Sequence, residues 1–335
     1  MSTFPLTCAA LLQAKNRVEA IWNDPQAVTE YTAEVTALTT IMAKQTAKFQ
    51  ELKDPQKDKS IRVMWLTDCD DDDAATCSDE CDTGGPEIND RCQDYALDIC
   101  LTKGFNVKEK VFRESTWDFE EVIAKAMMFK MKSLDEQIVQ YVIAKLDADY
   151  TGTNAAPDPY TVVGHDTCIP AYAWTPELFA YIQQVLILNR MKDAYGLSGS
   201  NLFQASQIAK WNTGNDNGKG AGAAFGSVPI NFDLWNIDST LGAKKTFFIR
   251  PGAVAFVSKN YYGPTPVQMP GSAAKVRYSI ASRNLPGVVY DVVMDTECTG
   301  NEYVYKWSLF FKGGFFVNPK TCDNLNTGVL SFKCC

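Results

Sequence analysis

Histidine is nearly absent, with His165 the single one in 335 residues. Acid–base chemistry near neutral pH leans on imidazole, so any such arrangement here has only His165 to draw on. Cations are in deficit, 32 Lys and Arg against 40 Asp and Glu, for a formal net charge of −8. A protein that grips nucleic acid needs clustered Lys and Arg against phosphate. This balance opposes that role and still allows a surface that faces nucleic acid without holding it. No segment reaches the roughly 18 consecutive apolar residues of a membrane helix. The stretch from Met1 to Leu12 has no basic leader and only a short, broken apolar run. No signal peptide is expected, and the chain is expected to fold in a cytoplasm. Internal repeats and long low-complexity tracts are also missing.

Nucleotide and metal motifs fail on spacing. The run from Gly214 to Gly220 has three residues between Gly214 and Gly218-Lys219, and Gly220 stands where a phosphate loop needs Ser or Thr. No dinucleotide fingerprint, zinc-protease motif or nucleophile elbow is present. Asp68, Asp70, Asp71, Asp72, Asp73, Asp79, Glu80 and Asp82 crowd around Cys69, Cys77 and Cys81. They lack the alternating ligand positions and turn glycine of a calcium loop, and the cysteines lack the paired two-residue spacing of a zinc knuckle. No metal and no cofactor are expected.

Cysteine, by contrast, is plentiful. Eleven is an odd number, so at least one cannot pair within the chain. The acidic insert reads as a solvated loop tip stapled by disulfides among Cys69, Cys77, Cys81, Cys92 and Cys100, which suits a protein that later meets an oxidising exterior. His165 and Cys168 are close enough in sequence to form a thiol–imidazole pair. No nucleophile signature surrounds them, and the plainer reading is a loop histidine beside a small buried cysteine.

Residues 1–52 read as helical, with Val35, Leu38, Ile41 and Met42 at helical spacing, until Pro55 intervenes. Residues 60–67, 94–101 and 105–113 look extended, so 60–114 reads as a β arm with a polar tip. The strongest signal covers 118–149. Phe119, Ile123, Met127, Met131, Leu134, Ile138, Tyr141, Val142 and Leu146 form one stripe with no Pro or Gly among them. At about 1.5 Å per residue this helix spans roughly 48 Å, against a usual length of about 11–12 residues. Ser115 or Thr116 offers a cap. A second helix opens at Thr175-Pro176-Glu177 and is expected to stop at Gly196. A third runs from Asn201 to Trp211. Residues 213–227 hold five glycines and read as a loop. Strands dominate after Thr246, ending in a hairpin of 288–294 and 302–311 in which Tyr303, Tyr305, Trp307, Leu309 and Phe311 share a face.

This order of elements resembles the major capsid proteins of tailed bacteriophages, the Hong Kong 97 type. DFEEVIAKAMMFKMKSLDEQIVQYVIAKLDAD at 118–149 is similar to the family's spine helix. Residues 60–114 resemble its extended loop, and residues 174–212, ending in SGSNLFQASQIAKWN, its first axial helices. TFFIRPGAVAFVS at 246–258 resembles the strand that closes the axial domain, and 288–318 the final hairpin. The acidic, cysteine-rich insert departs from the usual extended loop.

The resemblance implies an α+β chain of the Hong Kong 97-type capsid fold. Its parts would be an N-terminal helical arm at 1–59, an extended β loop at 60–117, and a spine helix with peripheral domain at 118–160. An axial domain at 161–258 would follow, then strands returning through both domains at 259–335. It implies no catalytic residues and a subunit that assembles with itself into hexamers and pentamers. Such a shell encloses double-stranded DNA without specific binding, in a virion built in a bacterial cytoplasm. Portal, decoration and separate scaffolding proteins would be its partners. The candidate inter-subunit contacts lie on the arm: Arg62, Trp65, Asp70, Asp71, Asp72, Asp73, Phe112 and Arg113. An encapsulin-like compartment shell, a minor virion or decoration protein, and an enzyme using His165 and Cys168 are the competing readings.

Overall fold

The computed structural model describes residues 8–23, 28–51, 60–66, 90–110, 118–150, 158–212, 222–225, 228–242, 245–269, 275–299, 302–318 and 328–335. The chain begins with three helices, α1 (Cys8–Trp22), α2 (Val28–Tyr31) and α3 (Thr36–Lys44). Four strands follow, β1 (Lys48–Glu51), β2 (Ser60–Leu66), β3 (Asp90–Ala96) and β4 (Ile99–Lys108), then the long helix α4 (Phe119–Asp149). Next come β5 (Thr161–Val163), β6 (Asp166–Ile169), α5 (Leu178–Leu188), β7 (Tyr195–Ser198) and α6 (Ser200–Asn212). β8 (Gly222–Phe225), β9 (Val228–Phe232), α7 (Leu234–Leu241), β10 (Lys245–Ile249) and β11 (Val254–Ser258) lead to the final strands. These are β12 (Val267–Gln268), β13 (Lys275–Ala281), β14 (Val289–Thr299), β15 (Glu302–Val317) and β16 (Val329–Cys334). Two compact units result, each assembled from three separated stretches: residues 1–39, 97–143 and 257–314, and residues 40–96, 144–256 and 315–335.

In the first unit β4, β15, β14, β13 and β12 hydrogen-bond in that order, all antiparallel. Strand periodicity of two puts Tyr305, Trp307, Leu309 and Phe311 of β15 on a buried face, with Tyr290, Val292 and Met294 of β14 and Val276, Tyr278 and Ile280 of β13. The helix α4 supplies the matching apolar stripe: Ile123, Met127, Met131, Leu134, Ile138 and Val142 are all nearly inaccessible. The Tyr278 hydroxyl reaches the Met127 sulfur at 3.6 Å, and Phe119 meets the Tyr305 ring edge-on at 5.6 Å. Tyr141, expected on the stripe, is 36% exposed. Glu120 and Glu121 occupy the first turn, where the free N–H groups favour negative charge. Helix α1 turns Ala14 and Val18 inward, and Tyr31 packs edge-on against Phe129 at 4.9 Å.

The second unit is built on a seven-stranded mixed sheet in the order β5, β6, β16, β10, β7, β9, β8. The pairs β16–β6 and β7–β9 are parallel and the others antiparallel. Central β10, KTFFI, is buried on both faces, which explains a continuous apolar run where alternation would mark a half-exposed strand. Ile182, Val185 and Leu186 of α5 and Leu202 of α6 pack with Ile230, Phe248, Leu330 and Phe332. Helix α7 carries both end signals. The Asp233 side chain accepts from the Asn236 N–H at the start, and Gly242 at φ 60° closes the end, its N–H bonding the Asp238 carbonyl.

The same unit holds a three-stranded antiparallel sheet, β1–β2–β3. It corrects the reading of the arm in two respects. Residues 48–51, read as the tail of a helix, form an edge strand. The segment read as one strand over 94–101 breaks at 97–98, and β4 pairs with β15 instead.

Candidate functional site

The arm places its candidates on opposite faces. In β2, Ile61, Val63 and Trp65 point to one side and are buried, while Arg62 and Met64 point to the other. Trp65 is 1% exposed, already covered within the single chain. Arg62 Nε sits 2.7 Å from the Asp94 carboxylate on β3 and forms a bidentate pair with both side chains part-exposed. Asp70, Asp71, Asp72, Asp73, Phe112 and Arg113 lie outside the described residues, as do Cys69, Cys77 and Cys81. Cys100 carries a free, exposed thiol.

Cys168 is bonded to Cys335, 167 residues away in sequence. The bond clips the parallel pair β6–β16, in which Lys333 stands opposite Cys168 and the Cys335 N–H donates to the Ile169 carbonyl. A sulfur held in a disulfide is no nucleophile, so the thiol–imidazole pairing of Cys168 with His165 does not exist in this structure. Closing a loop of this length removes much freedom from the unfolded chain. Replacing Cys168 with serine is expected to cost about 2–4 kcal/mol, read as a lower Tm than that of the oxidised wild type. Equal Tm for oxidised wild type and Cys168→Ser would show that the bond contributes nothing.

Two buried polar clusters are the other chemically distinctive features. In the second unit Lys245, with 5% exposure, lies between two carboxylates. Its ammonium contacts Asp147 and stands 2.7 Å from Asp166, with the Tyr150 and Phe247 rings alongside at 5.7 and 5.4 Å. Asp166 also accepts from the Tyr150 hydroxyl at 2.7 Å and from Ser331. Burial pushes the Asp166 carboxyl up, but the bonds from Lys245, Ser331 and Tyr150 together hold it below its ordinary value. Burial likewise drives the Tyr150 phenol far above its ordinary value, so it stays a donor.

In the first unit Asp135 of α4 is fully buried, with the Ser282 hydroxyl at 2.8 Å, the Tyr290 hydroxyl against the same oxygen, and the Asn284 amide at 2.8 Å from the other. Burial raises its pKa to about 6, against the opposing effect of these bonds. Each cluster joins elements far apart in sequence, and among the described residues no group of three or more His, Cys, Asp or Glu could hold a metal ion.

The surface offers what the sequence reading missed. In the second unit Tyr172, Trp235, Val163, Leu188 and Ile187 are 84%, 63%, 62%, 53% and 49% exposed. A signal for part of this was present. Val185-Leu186-Ile187-Leu188 is a four-residue apolar run at about 100° per residue, wider than one core stripe can take. The core takes Val185 and Leu186, leaving Ile187 and Leu188 outside.

No family profile matches this chain, and no curated protein matches it. Solved structures do. A chain from Mycobacterium phage Che8 is 13% identical, with 86% of this chain and 92% of that one covered at a TM-score of 0.43. The capsid of the cyanophage P-SCSP1u is 12% identical, covering 83% and 84% at 0.46. The capsid of Ralstonia phage GP4 is 10% identical, covering 82% and 83% at 0.46.

Proposed function

We propose that this chain is a shell-forming structural subunit, the major capsid protein of a tailed phage, and that it performs no catalysis. The observation that carries the reading is the order of elements. A helical N-terminal stretch precedes a β arm, a 31-residue helix, a mixed-sheet unit with its own helices, and a closing hairpin, as the family resemblance leads one to expect.

The surface supports it. Large apolar side chains stand exposed on a unit whose own core is complete, and a shell subunit buries such groups on its neighbours. The arm is the second contact region, with Arg62 and the segments bearing Asp70, Asp71, Asp72, Asp73, Phe112 and Arg113 crossing to an adjacent subunit; Trp65 acts there by holding the arm sheet together. Net negative charge suits a container that must not adhere to its DNA. Scaffolding, portal and decoration proteins are its further partners, and the virion is its location.

The test is negative-stain electron microscopy of the purified chain after size-exclusion chromatography. Closed shells, curved sheets or rings of five and six subunits are expected, with particle diameter separating a phage capsid from a small compartment. A strict monomer at every concentration and salt condition, with or without a scaffolding protein, would sink the proposal. Trp235→Ala is expected to leave the circular dichroism spectrum unchanged and to raise the concentration needed for assembly about 10–30-fold, as for the loss of an interfacial hot spot. Unchanged assembly would remove Trp235 from the contact surface.

A further inference from the structure

Asp135 does more than fill a place in the core. The Asn284 amide that donates to its Oδ2 at 2.8 Å also reaches the Tyr31 carbonyl at 3.3 Å, and the Asn284 side-chain oxygen accepts the Ala33 N–H at 3.2 Å. Both hydrogen-bonding ends of one amide are therefore spent on the turn between α2 and α3, and the carboxyl of Asp135 fixes that amide's orientation. Helix α4, the 282–285 turn, β14 and the N-terminal segment meet at this single group.

The carboxyl is poorly supplied with countercharge. Glu136, next on the helix, adds repulsion. Lys132, one turn earlier, donates to the Glu30 carbonyl at 3.0 Å. Arg283 faces Glu19 at 3.6 Å. Tyr290 from β14 is buried with its phenol held far up, so it offers a proton and no charge. Tyr31, Glu30 and Glu34 lie on the N-terminal side, and Glu34 acts on Glu136.

A neutral acid fits this nest well. Its O–H can donate to the Ser282 or Tyr290 oxygen, because hydroxyls exchange donor and acceptor roles, while Oδ2 still accepts from Asn284. An ionised carboxylate keeps the same partners, which offset only part of the cost of burying a charge with no countercharge beside it.

We propose that Asp135 is a proton-operated clasp for the N-terminal segment: with the carboxyl neutral the 31–33 turn is held, and with the carboxylate ionised the hold weakens. The sign follows from linkage. The closed state has the raised pKa, about 6, so its advantage is complete below the ordinary carboxylate value and is lost as pH rises through about 6. Between pH 5 and pH 7.5 the opening equilibrium shifts by about tenfold if opening lets water reach the carboxyl. The clasp operates within one chain and does not rest on the shell reading.

The test is amide hydrogen exchange of the full chain, followed by mass spectrometry of peptides spanning residues 30–38 and corrected for intrinsic rates. Wild type is expected to lose about tenfold in protection between pH 5 and pH 7.5. Asp135→Asn, a permanent stand-in for the neutral acid, is expected to hold the peptide at both pH values, and Glu136→Gln to keep the wild-type step. Asn284→Ala leaves the carboxyl with its two hydroxyls but cuts the link, so the peptide should be unprotected at both pH values. A flat wild-type profile overturns the proposal. So does a step that survives in Asp135→Asn, or wild-type protection in Asn284→Ala.

Discussion

Replacing Lys245 with alanine is expected to destabilise the second unit by about 3–5 kcal/mol, the cost of stranding a buried charge whose partner has gone. Asp147 and Asp166 would face each other across the vacated space, with Tyr150 and Ser331 still directed at Asp166. At roughly 2–4 °C per kcal/mol for a unit of this size, the thermal transition should fall by about 10 °C. The pH dependence identifies the cause. Asp166 is held below its ordinary value, so its stabilising contribution is present above that value and is lost as pH falls through the depressed one. The gap between wild type and Lys245→Ala should accordingly be widest near pH 7 and shrink in acid. Asp166→Asn in the Lys245→Ala background should recover part of the loss. A gap under about 1 kcal/mol at neutral pH would mean that the two carboxylates are not stranded when Lys245 is gone.

Trp307→Ala should have a similar effect on the first unit, about 3–5 kcal/mol, through a cavity the sheet cannot close. Trp307 is 1% exposed and sits on β15 between Phe105 of β4 and Met294 of β14. Its ring stacks on Phe105 with centroids 5.7 Å apart and planes 4° from parallel. Its indole N–H finds no hydrogen-bond partner among the described residues. Trp307→Phe therefore keeps much of the packing and discards a donor that was already unsatisfied, and should cost much less than the alanine variant. Denaturant melts followed by circular dichroism would decide. Equal losses for the two variants would show that ring size matters more here than the cavity argument allows.

The long helix and the closing hairpin were legible because their periods are unambiguous over many residues. The helix was expected over 118–149 and runs Phe119–Asp149, and of the face of Tyr303, Tyr305, Trp307, Leu309 and Phe311 all are buried except Tyr303, which is 46% exposed at the end of the strand. Helix α7 was missed although Asp233 and Gly242 flank it in the positions of a cap and a stop. Its eight residues are too few for periodicity to stand out. Gly196 was read as a helix stop and lies within β7. A Cβ there would come within 3.0 Å of Phe248 and 3.1 Å of Ile230, so this glycine answers to a close neighbour, which local sequence does not reveal.

The candidate site was legible only in part. Asp135 falls on the buried side of α4, four residues from both Met131 and Val139. A carboxylate in that stripe reads as surface until Ser282, Asn284 and Tyr290 arrive from more than 140 positions away. The Cys168–Cys335 bond is hidden for the same reason. Spacing favours local pairs, whereas this pair is brought together by strands adjacent in the sheet and remote in the chain.

The position of β16 has a consequence for synthesis. It lies between β6 and β10, so the sheet of the second unit remains two separate pieces until residues 329–334 have been made. About 80 residues separate β10 from β16, roughly 4–16 s of elongation at a bacterial or eukaryotic pace. During that interval the nascent chain holds β10 with one edge open. A chain interrupted before Val329 lacks the strand that joins the halves, and the sheet of its second unit cannot close.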